Sequence, residues 1–153
     1  MTLFEVGIFQ NSALLYSESF YSIEGNQNHD THRRSHVVNL LSRMSERVYQ
    51  SPATHIKAGN YQIFTATHTK DEENQENNYF LYTVGDKESD EAIMSKLLTI
   101  LLRKIKSLAK DLNLFAQSGI STQQKRYLKQ TVRETLEDER LKPNDRILRY
   151  VLL

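Results

Sequence analysis

The sequence contains no cysteine. This excludes cysteine nucleophiles, cysteine-built zinc sites and any disulfide framework, and it removes the acceptor for prenyl or palmitoyl anchors. Glycine is sparse: the five glycines stand at positions 7, 25, 59, 85 and 119, where they fit turns and element ends. No GxxxxGKS/T or GxGxxG phosphate-binding pattern occurs, and there is no GxSxG nucleophile elbow. An excess of one charge is also lacking, because 20 Lys and Arg face 19 Asp and Glu for a net charge of +1. So even a balance gives the chain as a whole no attraction to nucleic acid or acidic membrane. Lys, Arg and Thr interrupt the apolar regions, so no segment is expected to span a membrane. The opening MTLFEVGIFQ has neither the basic patch and long apolar stretch of a signal peptide nor a glycine at position 2 for myristoylation. A cytoplasmic protein is therefore expected. At 153 residues the chain fits one domain with a sizeable core.

What is present is a series of short apolar runs and three helical patterns. Residues 3–9 (LFEVGIF) and 13–21 (ALLYSESFY) read as a hairpin turning near Asn11. Residues 22–34 (SIEGNQNHDTHRR) offer almost nothing to bury and read as an exposed loop. A helix is expected over 35–50, with Ser35 as its N-cap, Val37, Leu41, Met44 and Val48 at helical spacing, and Ser51-Pro52 as its end. Strands are expected at 55–58, 61–69 and 79–85, with a turn at Gly59-Asn60 and a solvated loop at 70–78. Residues 89–116 carry the strongest periodicity. Leu97, Leu101, Ile105, Leu108 and Leu112 form one stripe, and acidic residues gather at the N-terminal end. A last helix is expected over 121–141, capped by Ser121 and stopped by Pro143. The order β-β-α-β-β-β-α-α suits an α/β (α+β) fold with an antiparallel or mixed sheet covered by helices.

That order resembles the longin domain of membrane-trafficking proteins. The residues that carry the likeness are FEVGIF (4–9), ALLYSE (13–18), AGNYQIFTATHT (58–69) and NYFLYTVGD (78–86). Gly59, Asn60 and Tyr61 match the Gly-Asn-Tyr that precedes the central strand of longins, and Asp86 matches the acidic end of the strand before the long helix. The resemblance covers about residues 3–140. It implies a longin- or profilin-like five-stranded antiparallel sheet sandwiched by one helix and two helices. The longin-like domain would span 1–142, with 143–153 as a C-terminal extension, a short helix or the start of a linker. It further implies a non-catalytic interaction domain in vesicle trafficking or membrane fusion, with no cofactor. The implied partners are a SNARE segment, a small GTPase or another trafficking subunit, on the cytosolic face of endomembranes. The chain departs from SNARE-type longins in its longer segments 22–34 and 70–78 and in having no SNARE heptad segment. Three alternatives stay open: a subunit or dimerisation module of a GTPase-regulating or tethering complex, a small enzyme of unrelated class, and a profilin-like or roadblock-like binding module.

Candidate site residues follow from both readings. The resemblance places a partner groove between the first helix and the third strand, which here involves Leu40, Met44, Val48, Tyr61 and Ile63. The plainer alternative is that these residues only cement the helix to the sheet. Lys96, Arg103, Lys104, Lys106 and Lys110 form a run of bases with no intervening acid, suited to an acidic partner or lipid headgroups, or else a solvated helix face. His29, Asp30, His32 and His36 offer metal-ligand chemistry, but their spacing matches no usual zinc pattern, and no metal is expected. The aromatics of the strands are not interleaved with bases as an RNA-reading sheet requires, so no nucleic-acid partner is expected.

Overall fold

The computed structural model describes residues 3–10, 13–20, 30–51, 53–68, 79–111 and 121–140. The Asn11 turn, the segments 22–29 and 70–78, Pro52, and residues 112–119 and 141–153 lie outside the described residues. The elements are β1 (Leu3–Gln10), β2 (Ala13–Ser19), α1 (Asp30–Tyr49), β3 (His55–Ala58), β4 (Tyr61–His68), β5 (Tyr79–Asp86), α2 (Glu91–Asp111) and α3 (Thr122–Arg140). The order is the expected one. The chain divides into two compact units, Met1–Leu102 and Arg103–Leu153.

In the first unit all five strands form one antiparallel sheet in the order β2-β1-β5-β4-β3. The two central strands are those whose sequences, LFEVGIFQ and YFLYTVGD, are apolar on both faces and buried almost throughout. The strand that follows Gly59-Asn60-Tyr61 is β4, which lies second from the edge, so the centre belongs to β5 rather than to that strand. Gly59 has a φ of 60° and Asn60 does not have a positive φ. Those signs are of a type II′ turn, which wants glycine first, and not of the type I′ turn that Asn-Gly order would give.

Pairing fixes which residues share a face. Glu5, Gly7 and Phe9 lie opposite Val84, Tyr82 and Phe80, and Ile63 opposite Val84. A register shift between Leu3 and Glu5 turns Phe4 to this side too, where its ring meets Tyr61 edge-on at 5.3 Å. Val38 of α1 joins Phe9, Phe80, Tyr82 and Val84 in one buried cluster, so α1 covers this face. The opposite face carries Leu3, Val6, Ile8, Leu81, Thr83, Gly85, Gln62 and Phe64. The first half of α2 covers it. A Cβ on Gly85 would come within 2.3 Å of Ser89 Oγ, so glycine leaves room for the Ser89 side chain just before α2, and Met94 Cε of the helix would lie in ordinary contact at 3.5 Å. Leu97 and Leu101 are buried, as the stripe predicted, and Met94 and Leu98 are buried beside them.

The entry to α2 is held by side chains. Asp90 caps it, accepting a hydrogen bond from Ile93 N at 3.1 Å. Asp86 accepts hydrogen bonds from Glu88 N and Ser89 Oγ, both at 3.1 Å, and so shapes the turn out of β5. Gln62 donates its amide nitrogen to the carbonyls of Asp86, Lys87 and Ser89 at 3.0–3.1 Å, while its oxygen meets His55 Nε2 at 2.7 Å. His55 stacks on Phe64 at 4.6 Å.

In the second unit Ser121 is the cap of α3, as expected. It accepts from Gln124 N at 3.2 Å, and Gln124 Oε1 accepts from Ser121 N at 2.9 Å, which completes a capping box. Leu128, Val132, Thr135 and Leu136 are buried, and Tyr127 beside them is exposed.

Candidate interaction surface

Helix α1 corrects two expectations. It starts at Asp30, so residues 30–34 are helical rather than loop, and Ser35 is a buried interior residue rather than the cap. The polar run before Val37 carries no apolar period to announce a helix. It ends where Gln50 takes a left-handed φ of 58°, the usual way to break the helical hydrogen-bond ladder.

The face that α1 turns to the sheet is small and polar: Ser35, Val38 and Ser42 are buried, and Arg34 and Ser45 are half-buried. What holds it there is a buried polar cluster. Glu5, fully buried in the middle of β1, receives Arg34 Nη2 at 2.7 Å and Arg34 Nε at 3.3 Å on Oε1. Ser19 Oγ donates to the same oxygen at 3.2 Å, and Tyr82 OH donates to Oε2 at 2.9 Å. Ser35 hydrogen-bonds the Tyr82 hydroxyl, tying α1 in a second time. The Tyr82 ring reaches Glu5 by crossing Gly7, where a Cβ would sit 2.1 Å from Tyr82 Cε1. Glycine at 7 is what makes that crossing possible. Burial, and then the neighbouring Glu5 carboxylate, push the Tyr82 hydroxyl pKa far up, so it stays a neutral donor.

The consequence lies on the other side of the helix. Val37 is 54% exposed, Leu40 57%, Leu41 40%, Met44 53% and Val48 68%. At 3.6 residues per turn these five fall within an arc of about 100°. The most apolar stripe of α1 thus faces outward while serines face the core. Exposed Arg47 and Arg43 lie beside the Leu40 edge of the stripe, Arg33 continues that edge toward the N-terminus, and none of the three forms an ion pair among the described residues. Isolated exposed apolar side chains are ordinary, whereas this is a contiguous helical row of them, which makes the outer face of α1 the candidate surface.

The five residues expected to line a partner groove divide into two sets. Leu40, Met44 and Val48 belong to this outward stripe. They do not cement the helix to the sheet. Tyr61 and Ile63 are half-buried and sit against the cluster of Phe9, Val38, Phe80, Tyr82 and Val84. Of the basic run, Lys96, Arg103 and Lys104 are exposed and Lys106 is half-buried, while the Lys110 side chain lies outside the described residues. His36 is exposed and meets Phe9 edge-on at 5.7 Å, and the side chains of His29, Asp30 and His32 lie outside the described residues. Among the described residues no group of three His, Cys, Asp or Glu converges as a metal site.

Sequence reasoning missed the Glu5–Arg34–Tyr82 cluster and the arginine flank. One signal was available: a lone carboxylate inside the apolar run LFEVGIF, on a strand buried on both faces, requires a buried cationic partner. No helix among the described residues is long and apolar enough to cross a membrane. No family model matches the chain, and no curated protein matches it.

Proposed function

We propose that this chain is a non-catalytic, longin-like interaction domain of vesicle trafficking or membrane fusion, which uses the outer face of α1 to hold a helical segment of a SNARE or another trafficking protein. The observation that carries this reading is the inverted α1: an apolar row on the solvent side of a helix whose inner side is fixed by Glu5, Arg34, Tyr82 and Val38. Such a helix is anchored on its inner side and apolar on its free side before any partner arrives, so little ordering is needed on binding. The strand ending at Asp86 and the order of elements support the longin likeness. The cytosolic face of endomembranes is the place that fits this role.

The test is a titration of the chain with SNARE helical segments and with small GTPases, repeated with Met44→Gln/Val48→Gln. The expected result is a saturable complex with a helical segment, weakened at least about tenfold by the double substitution, since loss of two apolar anchors costs more than 1.4 kcal/mol. Equal affinity of the wild type and a folded double variant refutes the assignment.

A further inference from the structure

The spacing of the exposed row says more than that it is apolar. Val37, Leu41, Met44 and Val48 are separated by four, three and four residues, which is the a/d spacing of a coiled-coil seam, with Leu41 and Val48 at a and Val37 and Met44 at d. In that register Arg33, Leu40 and Arg47 are the g positions and Val38 and Ser45 the e positions. Val38 is buried against the sheet and Ser45 is half-buried. The e flank is therefore closed by the domain itself, and the open g flank carries two exposed arginines. Of the two acids of α1, Glu46 sits at f, away from the seam, and Asp30 is the first residue of the helix, N-terminal to the stretch Val37–Val48.

Resting on the interaction reading above, we propose that the partner of α1 is a single heptad-patterned helix whose flank facing Arg33 and Arg47 is acidic. A second copy of this chain does not fit. Parallel pairing would need g residues to meet e residues, and those face the sheet. Antiparallel pairing would set Arg33 against Arg47 of the other copy. A bilayer has no register and no single flank to match Arg33 and Arg47 on one side of the seam. The seam ends at its N-terminal side where the preceding a residue, Arg34, turns inward to Glu5. The contact is thus about two heptads long.

Two synthetic, helix-stapled peptides of three heptads test this. Both carry the same Leu at a and d, and one has Glu and the other Lys at e and g. Binding to the whole chain is read by fluorescence anisotropy at low and high salt. The Glu peptide is expected to bind about tenfold more tightly than the Lys peptide at low salt, with the gap narrowing as salt rises. Arg33→Glu/Arg47→Glu is expected to reverse the preference. Equal binding of the two peptides, or a preference unchanged in the reversed variant, overturns the acidic flank. Val37→Gln/Met44→Gln separates this from failure of the docking reading itself. If it abolishes binding of both peptides while the charge variants do nothing, the apolar docking face stands and the acidic flank falls. If it binds as the wild type, or if neither peptide binds the wild type, both fall. Concentration-dependent dimerisation in sedimentation, or adsorption to phosphatidylserine vesicles, that is lost in Val37→Gln/Met44→Gln also overturns the proposal.

Discussion

Removing Arg34 is the sharpest perturbation of the device that orients α1. Glu5 is fully buried, and Arg34 supplies two of its hydrogen bonds and its counter-charge, from a side chain that is 22% exposed. Arg34→Met keeps the aliphatic stem and leaves a buried carboxylate with, among the described residues, only the hydroxyls of Tyr82 and Ser19. Breaking one side of a buried pair in this way costs about 3–5 kcal/mol. Glu5→Met is gentler. Arg34 already reaches water and can swing outward, so the loss is mainly the acceptor of Tyr82, about 1–3 kcal/mol. The double variant removes the stranded charge and puts apolar volume in its place, so it is expected to be more stable than Arg34→Met alone. Urea unfolding of the wild type and the three variants, followed by circular dichroism, closes the cycle. A loss below about 1 kcal/mol for Arg34→Met, or a double variant as unstable as the two single losses added, would refute the reasoning.

Three smaller outcomes follow from the same cluster and its helix. Gly7→Ala forces a Cβ into the Tyr82 ring and displaces its hydroxyl from Glu5, for an expected loss of about 2–4 kcal/mol in urea unfolding, whereas Gly59→Ala, with open space but a φ of 60°, loses about 1–2 kcal/mol. Because the folded pKa of Tyr82 is raised above its ordinary 10.0, its contribution is complete below pH 10 and is lost as pH rises further, when the unfolded chain ionises first. Tyr82→Phe is expected to be less stable at pH 8 and to decline above pH 10 less steeply than the wild type, by up to about 1.4 kcal/mol per pH unit, as read from urea midpoints. Gln50→Gly relieves a left-handed non-glycine residue at the end of α1 and is expected to raise stability by about 1 kcal/mol in the same assay.

The parts of this fold that could be read in advance are those where burial writes itself into local pattern. Central β5 is apolar on both faces, so YFLYTVG stands out as a strand, and Leu97, Leu101 and Ile105 recur on the buried side of α2 as their spacing requires. Helix α1 was legible as a helix from the spacing of Val37, Leu41, Met44 and Val48, but not in its orientation. Periodicity marks an apolar face and does not say what covers it. The orientation is decided by Arg34 meeting Glu5, 29 residues away in sequence, and Tyr82 meeting Glu5, 77 residues away. No local spacing encodes such a pairing. The early start of α1 was hidden for a related reason: its first turn is polar, and its anchor is an ion pair rather than an apolar contact. Leu40, Met44 and Val48 were legible as site residues, whereas Arg33 and Arg47 gain meaning only once the outward direction of the seam is known.

The outer face of α1 is exposed surface rather than part of the core, and stability tests this most directly. Urea unfolding of Leu40→Gln/Met44→Gln/Val48→Gln should leave the free energy of unfolding within about 0.5 kcal/mol per site of the wild type, because exposed substitutions of similar helix propensity cost little. A loss of about 2–5 kcal/mol per site, the cost of emptying a packed core, would contradict it.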